Sequence, residues 1–256
     1  MNHVMRVAVL LLASASVLSA QSKWDGTWKM NKEKSKVTGG TMTFAAAGDG
    51  AMKLSSANGS YTFKTDGTEV DTPFGSKDKW TKAGDNSLQH SWATNGQPGG
   101  EEKLTVSGDG KMLTSDAHGT RPNGEAWTSK TDYARVGGTG KGIAGTWKSS
   151  KADFQPTTMS MKVEGDTLHW DIPAEKAKWD GKMDGKPVAP TGTTIPDGLT
   201  LALTKSSANS FKMVEKLKDK PMYSGTYTLS ADGKMMTVRG VNGQGKEPTT
   251  EIWEKE

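Results

Sequence analysis

The sequence predicts an all-β protein built from two tandem small antiparallel β-barrels, with about eight to ten strands in each barrel. Three observations support this prediction: an internal repeat, apolar residues that alternate with polar ones along short segments, and Asn-Gly or Asp-Gly pairs between those segments. Alternation with a period of two is typical of strands that have one buried face, and such pairs favour tight hairpin turns. No stretch after the first 20 residues carries the apolar stripe of an amphipathic helix.

The internal repeat is clearest where residues 86–114 are aligned with residues 209–237. Ten of these 29 positions are identical, and the motif Gly-Thr-Trp-Lys at 26–29 recurs at 145–148. A repeat of this length indicates two copies of one structural unit. We therefore predict four segments: a signal peptide over 1–20, a first copy over 24–136, a Gly-rich linker over 137–144 and a second copy over 145–256.

Strand-like alternation recurs in both copies, for example at Leu88, His90 and Trp92. It places alternate side chains on one face of a strand and the Lys, Thr and Ser residues on the other. Asn-Gly and Asp-Gly supply the positive φ angles that hairpins need, and they occur at 49–50, 58–59, 66–67, 109–110, 123–124, 232–233 and 242–243.

The first 20 residues predict export. A short polar start is followed by an apolar stretch over 7–12 and by small residues over 13–20, which is the pattern of a signal peptide. The apolar stretch is shorter than the roughly 20 residues that a membrane-spanning helix needs. We therefore expect no transmembrane segment and a periplasmic or extracellular protein.

The amino-acid composition excludes several kinds of site and partner. The chain has no cysteine, so disulfides, thiolate catalysis and cysteine-linked cofactors are excluded. Its net charge of +4 comes from interspersed Lys, Asp and Glu, which is typical of a solvated surface and predicts no nucleic-acid partner.

Candidate catalytic and metal-binding residues are few. The chain has no Gly-x-Ser-x-Gly motif of a serine hydrolase, and neighbouring Glu101 and Glu102 should face opposite ways as solvated charge. Asp116 and His118 would share one face of a strand as two metal ligands, but a surface position suits them better. We predict no enzyme, no catalytic residue, no metal site and no cofactor.

The repeated motifs resemble a known family. Gly-Thr-Trp-Lys at 26–29 and 145–148, Lys-x-Asp-Gly at 64–67 and 178–181, and Ser-x-Asp-Gly-Lys-Met at 107–112 and 230–235 are similar to exported bacterial lipocalin-like proteins. That family has calycin-type β-barrels and no established activity. The resemblance covers each copy once and implies that the barrels bind a small apolar or amphipathic ligand.

Aromatic and Met residues are the candidates for such a site. Trp28 and Trp147 are expected to close one end of each barrel, whereas Trp92 and Trp170 lie in the middle of strands where they could line a cavity. The predicted ligand-binding residues are Phe44, Tyr61, Phe63, Trp92, Met161 and Trp170. The alternative is an envelope or extracellular structural or interaction module with filled barrels. A monomer is favoured in both cases.

Overall fold

The structure is a computed structural model that describes residues 22–37, 40–243, 245 and 248–256. The predicted signal peptide over 1–20 lies outside the described residues. Within the described ranges the regular structure is β-strand, apart from one 3₁₀ turn at Pro173–Glu175. No helix in this part of the chain has the length and hydropathy to span a membrane.

Twenty strands follow one another in the described part of the chain. Their bounds, numbered in order from β1 to β20, are Gly26–Met30, Thr41–Ala46, Ala51–Ser56, Gly59–Lys64, Asp66–Asp71, Lys77–Gly84, Ser87–Thr94, Gln97–Val106, Met112–Thr120, Ala126–Gly137, Gly145–Phe154, Thr158–Glu164, Thr167–Ile172, Ala177–Lys182, Asp184–Val188, Leu199–Ser207, Ser210–Leu217, Lys220–Leu229, Met235–Asn242 and Thr249–Lys255.

These strands form two antiparallel sheets of ten strands, and each sheet curls into a nearly closed barrel. The first barrel has the strand order β4-β3-β2-β11-β10-β9-β8-β7-β6-β5, and the second has β14-β13-β12-β1-β20-β19-β18-β17-β16-β15. The two end strands of each sheet follow one another directly in the chain, joined by Thr65 in the first barrel and by Met183 in the second. Thr65 O accepts a hydrogen bond from Lys82 N at 3.3 Å, and Met183 O accepts one from Lys205 N at 3.1 Å. The predicted all-β, two-barrel fold is confirmed.

The two barrels do not coincide with the two sequence repeats, because each repeat places its first strand in the other barrel. Strand β1 lies between β12 and β20, with Trp28 opposite Met159 and Lys255. Strand β11 lies between β2 and β10 of the first barrel. The first barrel is therefore the continuous segment from β2 to β11, and the second barrel combines β1 with β12–β20.

This exchange changes the role of residues 137–144, which the sequence predicts to be a linker between domains. They form the connection between β10 and β11, two neighbouring strands of the first barrel. Arg135 holds this turn by donating hydrogen bonds to Gly142 O at 2.7 Å and Ala144 O at 2.6 Å. The chain instead passes from one barrel to the other between β1 and β2 and again between β11 and β12.

Contacts across the barrels accompany these crossings. Lys32 pairs with Asp153 at 2.5 Å, and Arg121 of the first barrel pairs with Glu175 of the second at 2.6 Å. A further hydrogen bond joins Asn95 Nδ2 to Ile195 O at 2.7 Å. The two barrels are thus connected by side chains as well as by exchanged strands.

The repeated turns have the same detailed structure in both copies. Asp109 Oδ1 accepts hydrogen bonds from the Ser107 hydroxyl at 2.6 Å and from a backbone N–H at 3.0 Å. Asp232 Oδ1 accepts the equivalent bonds from the Ser230 hydroxyl at 2.6 Å and from backbone at 3.1 Å. The glycine after each Asp has a positive φ, +73° and +69°, which an L side chain rarely adopts. The internal repeat therefore corresponds to a repeated structure.

Candidate functional site

Each barrel encloses a tryptophan from the exchanged Gly-Thr-Trp-Lys strand. Trp28 and Trp147 are both fully buried. The Trp28 indole donates to Trp24 O at 2.9 Å, and the Trp147 indole donates to Ile143 O at 2.8 Å. A basic side chain covers each ring: Lys255 Nζ lies 4.9 Å from the Trp28 ring centre, and Arg135 Cζ lies 4.0 Å from that of Trp147. The two barrels therefore share one arrangement around the exchanged strand.

The rest of the first barrel is filled by its own aromatic side chains. Phe44, Phe63 and Trp80 are 1–3% exposed. The Phe63 and Trp80 ring centres are 4.4 Å apart in a stacked geometry, and Phe44 meets Trp80 edge-on at 6.1 Å. Such contacts pack a core tightly and leave no room for a ligand between these rings.

Beside these rings lies a buried polar network centred on Asp78, which is 3% exposed. Asp78 Oδ2 accepts a hydrogen bond from the Tyr61 hydroxyl at 2.6 Å and lies 3.0 Å from His90 Nε2. Its other oxygen accepts a bond from the Ser76 hydroxyl at 2.7 Å. Burial opposes the charged carboxylate, but the hydrogen bonds from His90 and Tyr61 outweigh it and lower the pKa of Asp78.

The network continues through His90 to Glu102. His90 Nδ1 lies 3.2 Å from Glu102 Oε2, and the Ser115 hydroxyl donates to Glu102 Oε1. The His90 ring also stacks on Trp80 at 4.1 Å. Burial disfavours the imidazolium, but the hydrogen bonds with Asp78 and Glu102 outweigh it and raise the pKa of His90. Both ring nitrogens face carboxylates, so neither is placed to take a proton from Ser115.

The corresponding positions of the second barrel are apolar. The cross-strand pairing of Trp80 with His90 in the first barrel matches that of Leu203 with Met213 in the second. By the same register, the counterparts of Asp78, Glu102 and Ser115 are Leu201, Gly225 and Val238. The second barrel therefore has no equivalent of the polar network at these positions.

In place of that network, the second barrel has a half-open apolar cavity of about 180 Å³. Strands β13, β14, β16 and β17 form its walls, and the segment between β15 and β16 covers it with Ile195. The side chains that dominate the walls are those of Trp170, Trp179, Leu199, Leu201 and Met213. This is the candidate ligand-binding site.

One carboxylate also lines the cavity, that of Glu215 on β17. Burial raises its pKa, and no other group acts on it. Tyr223 is its cross-strand partner, and burial together with the negative charges of Glu251 and Glu215 raises the pKa of Tyr223. Burial likewise raises the pKa of Glu251, which accepts a hydrogen bond from the Trp253 indole at 3.0 Å. This part of the interior therefore holds two carboxyl groups whose charged forms are disfavoured by burial.

The six predicted ligand-binding residues lie in different environments. Phe44, Tyr61 and Phe63 belong to the filled core of the first barrel. Met161 is 3% exposed and packs in the core of the second barrel. Trp170 lines the cavity, where its indole donates to Met159 Sδ at 3.0 Å.

Trp92 occupies the end of the first barrel. Its indole covers Gly99 and Gly100 so closely that a Cβ on Gly99 would lie 2.1 Å from Trp92 Nε1. The Trp127 ring lies 6.1 Å away. Trp92 is thus half-buried beside a groove and does not share a cavity with Trp170.

Sequence reasoning missed several residues of these interiors. Glu102, expected to be solvated, points inward with its side chain only 22% exposed, whereas Glu101 is exposed. Its inward position follows from strand parity, because Glu102 shares a face with Leu104 and Val106. The same parity places Asp78 with Trp80, and Glu215 with Met213.

Larger hollows, which are also open to the surface, lie elsewhere on the molecule. One of about 730 Å³ lies between the barrels, where Tyr133 of the first faces Asn242 and Thr249 of the second. Another, of about 740 Å³, lies beside Trp24. Small polar side chains line much of the first, so it lacks the continuous apolar wall that characterises small-molecule sites.

The sequence offers two candidate metal ligands, Asp116 and His118. Asp116 pairs with Lys130 at 3.4 Å on the exposed face of β9, where His118 is also exposed. In the part of the chain that the structure describes, no three His, Asp or Glu side chains are grouped to hold a metal ion.

Comparison with protein-family models and with curated proteins finds no match to this sequence.

Proposed function

We propose that this chain is an exported, non-catalytic binding protein whose second barrel takes up a small apolar or amphipathic molecule. The observation that supports this is the cavity of about 180 Å³ walled by Trp170, Trp179, Leu199, Leu201 and Met213. The fold and the repeated motifs of the chain also agree with the exported lipocalin-like proteins that the sequence resembles. We place it in the periplasm or outside the cell, as a monomer without a nucleic-acid partner.

The volume of the cavity limits the size of the ligand. A cavity of about 150 Å³ lined by aliphatic and aromatic side chains can bind benzene, whereas drug-sized ligands need about 300 Å³ or more. At about 180 Å³ the present cavity suits a single small ring or a short branched chain. The part of the ligand that this cavity holds is therefore expected to be small.

A non-catalytic role is supported by the chemistry of the first barrel. His90 has a carboxylate at each ring nitrogen, and Ser115 donates to Glu102 instead of to His90. A serine nucleophile needs its base within hydrogen-bond reach. The network instead suits a structural role. The packed aromatic core of the first barrel favours the second candidate function, a structural or interaction module, for that barrel.

Fluorobenzene tests the binding proposal, because its ¹⁹F signal broadens and shifts when it enters a protein cavity. We expect saturable binding to the full chain and at least a tenfold loss of affinity in Ala177→Leu, since Ala177 is a buried wall residue whose enlargement fills the cavity. Val214→Leu, on the exposed face of β17, is the matched control. Absence of binding, or equal binding by a folded Ala177→Leu variant, would contradict the proposal.

A further inference from the structure

The charge inside the second barrel narrows the ligand class further. Glu215 is the one acidic residue among the described residues that line the cavity. It faces inward between Leu201 on β16 and Tyr223 on β18. Its counterpart in the first barrel is Trp92, so the carboxylate distinguishes the barrel that has a cavity from the barrel that is filled.

Nothing described around Glu215 neutralises its charge. The one basic residue of the cavity lining, Lys178, lies on the outer face of β14 and directs its Nζ to Asp171 Oδ2 at 3.4 Å, with its side chain 61% exposed. Glu251 adds a second inward carboxylate nearby. A half-buried carboxylate without a partner is unfavourable, so a cation placed beside Glu215 would be stabilised.

The cavity also presents aromatic rings. Trp170 and Trp179 are directly opposite each other on β13 and β14, and both line the cavity. The face of an indole attracts cations, and sites that bind quaternary ammonium groups combine aromatic rings in this way. Apolar walls suit the methyl groups of such a cation, while the carboxylate suits its charge.

We propose that the ligand of the second barrel is a small organic ammonium ion, held by Glu215 and by the rings of Trp170 and Trp179. This inference rests on the proposed binding function and adds the charge of the ligand. The cavity of about 180 Å³ accommodates a methylated ammonium group with a short chain. A neutral apolar molecule of equal shape would leave the Glu215 carboxylate without a partner.

Choline and its uncharged isostere 3,3-dimethylbutan-1-ol provide the test, since they share a shape and differ in charge. Isothermal titration of the full chain at about pH 8, far above the ordinary carboxyl range, should give at least tenfold tighter binding of choline. Glu215→Gln should remove this preference. Glu164→Gln, the same change at an exposed position of β12, should preserve it.

The outcomes separate the two proposals. Equal binding of the two molecules, or preference for the neutral alcohol, would overturn the ammonium assignment and leave the binding function standing. If neither choline nor the alcohol binds while fluorobenzene does, the ammonium assignment is likewise overturned and the binding function stands. Failure of all three would overturn the binding function as well. Because wild-type protein alone gives the comparison between the ligands, the test holds even if Glu215→Gln does not fold.

Discussion

Replacing Trp28 by alanine should destabilise the second barrel, although Trp28 belongs to the first sequence repeat. The side chain is fully buried, its indole donates to Trp24 O at 2.9 Å, and its strand pairs with β12 and β20. Removing a buried aromatic side chain costs about 3–5 kcal/mol. A loss of this size should raise the population of the open second barrel by roughly a hundredfold to several thousandfold.

Hydrogen exchange followed by mass spectrometry locates this effect. In Trp28→Ala, peptides from β16–β18 should lose protection by that factor, while peptides from β6–β8 of the first barrel keep most of theirs. Trp147→Ala is the matched variant, because Trp147 is equally buried in the first barrel. It should give the reverse pattern.

The reciprocal pattern depends on strand exchange. If β1 instead paired with β2 and β10 of its own repeat, Trp28→Ala would expose the first barrel and spare the second. That result would refute the exchanged topology. Equal loss of protection in both barrels by both variants would show that the barrels unfold as one unit and would refute the separate response predicted here.

Three further predictions use the same structure. A fragment of residues 40–154 should unfold cooperatively on heating, whereas residues 40–136, which lack β11, should show no such transition by circular dichroism. Because the pKa of His90 is raised in the folded protein, its stabilising contribution is fully present below about pH 6.5 and is lost as the pH rises through the folded value. The melting temperature should therefore fall more steeply in wild type than in His90→Gln as the pH rises above about 6.5. Asp109→Ala and Asp232→Ala should lower the melting temperature by similar amounts, since each removes the same two turn hydrogen bonds; a clear difference would show that the turns are not equivalent.

Sequence reasoning predicts the strands and turns because these depend on local residues. Asp109 and Asp232, each followed by a glycine, form the same turn in both copies, as the alignment predicts. Alternating apolar positions likewise predict the inward faces, since Leu88, His90 and Trp92 all lie on one side of β7. Local chemistry therefore determines most of the fold.

The partners of β1 and β11 could not be predicted in this way. Both strands begin with Gly-Thr-Trp-Lys, so either can supply the same tryptophan to either barrel. The contacts within a barrel are then nearly the same with or without exchange. What distinguishes the two arrangements are contacts along the crossings, such as Lys32 with Asp153 at 2.5 Å and the backbone bonds between Lys36 and Thr250 at 2.6 and 2.8 Å. These join residues more than 100 positions apart, and no local pattern indicates them.

Divergence inside the barrels explains why only the second has the cavity described here. In the first barrel, Asp78 and Glu102 stabilise the buried His90, because each carboxylate lies near one nitrogen of its ring. Replacing His90 by the counterpart Met213 removes the need for these carboxylates, and they can then be lost as well.

The replacements also change how space is filled. At the position of Glu102 the second barrel has Gly225, and the Tyr223 ring lies over Gly225 and Gly240, where an added Cβ would come within 2.4 and 2.2 Å of Tyr223 Oη. The half-buried Tyr223 therefore occupies the space that a side chain at position 225 or 240 would need. Because each of these side chains is accommodated by its neighbours, the two interiors differ as sets. The barrel without the polar network is the one that has the cavity and its unpaired carboxylate.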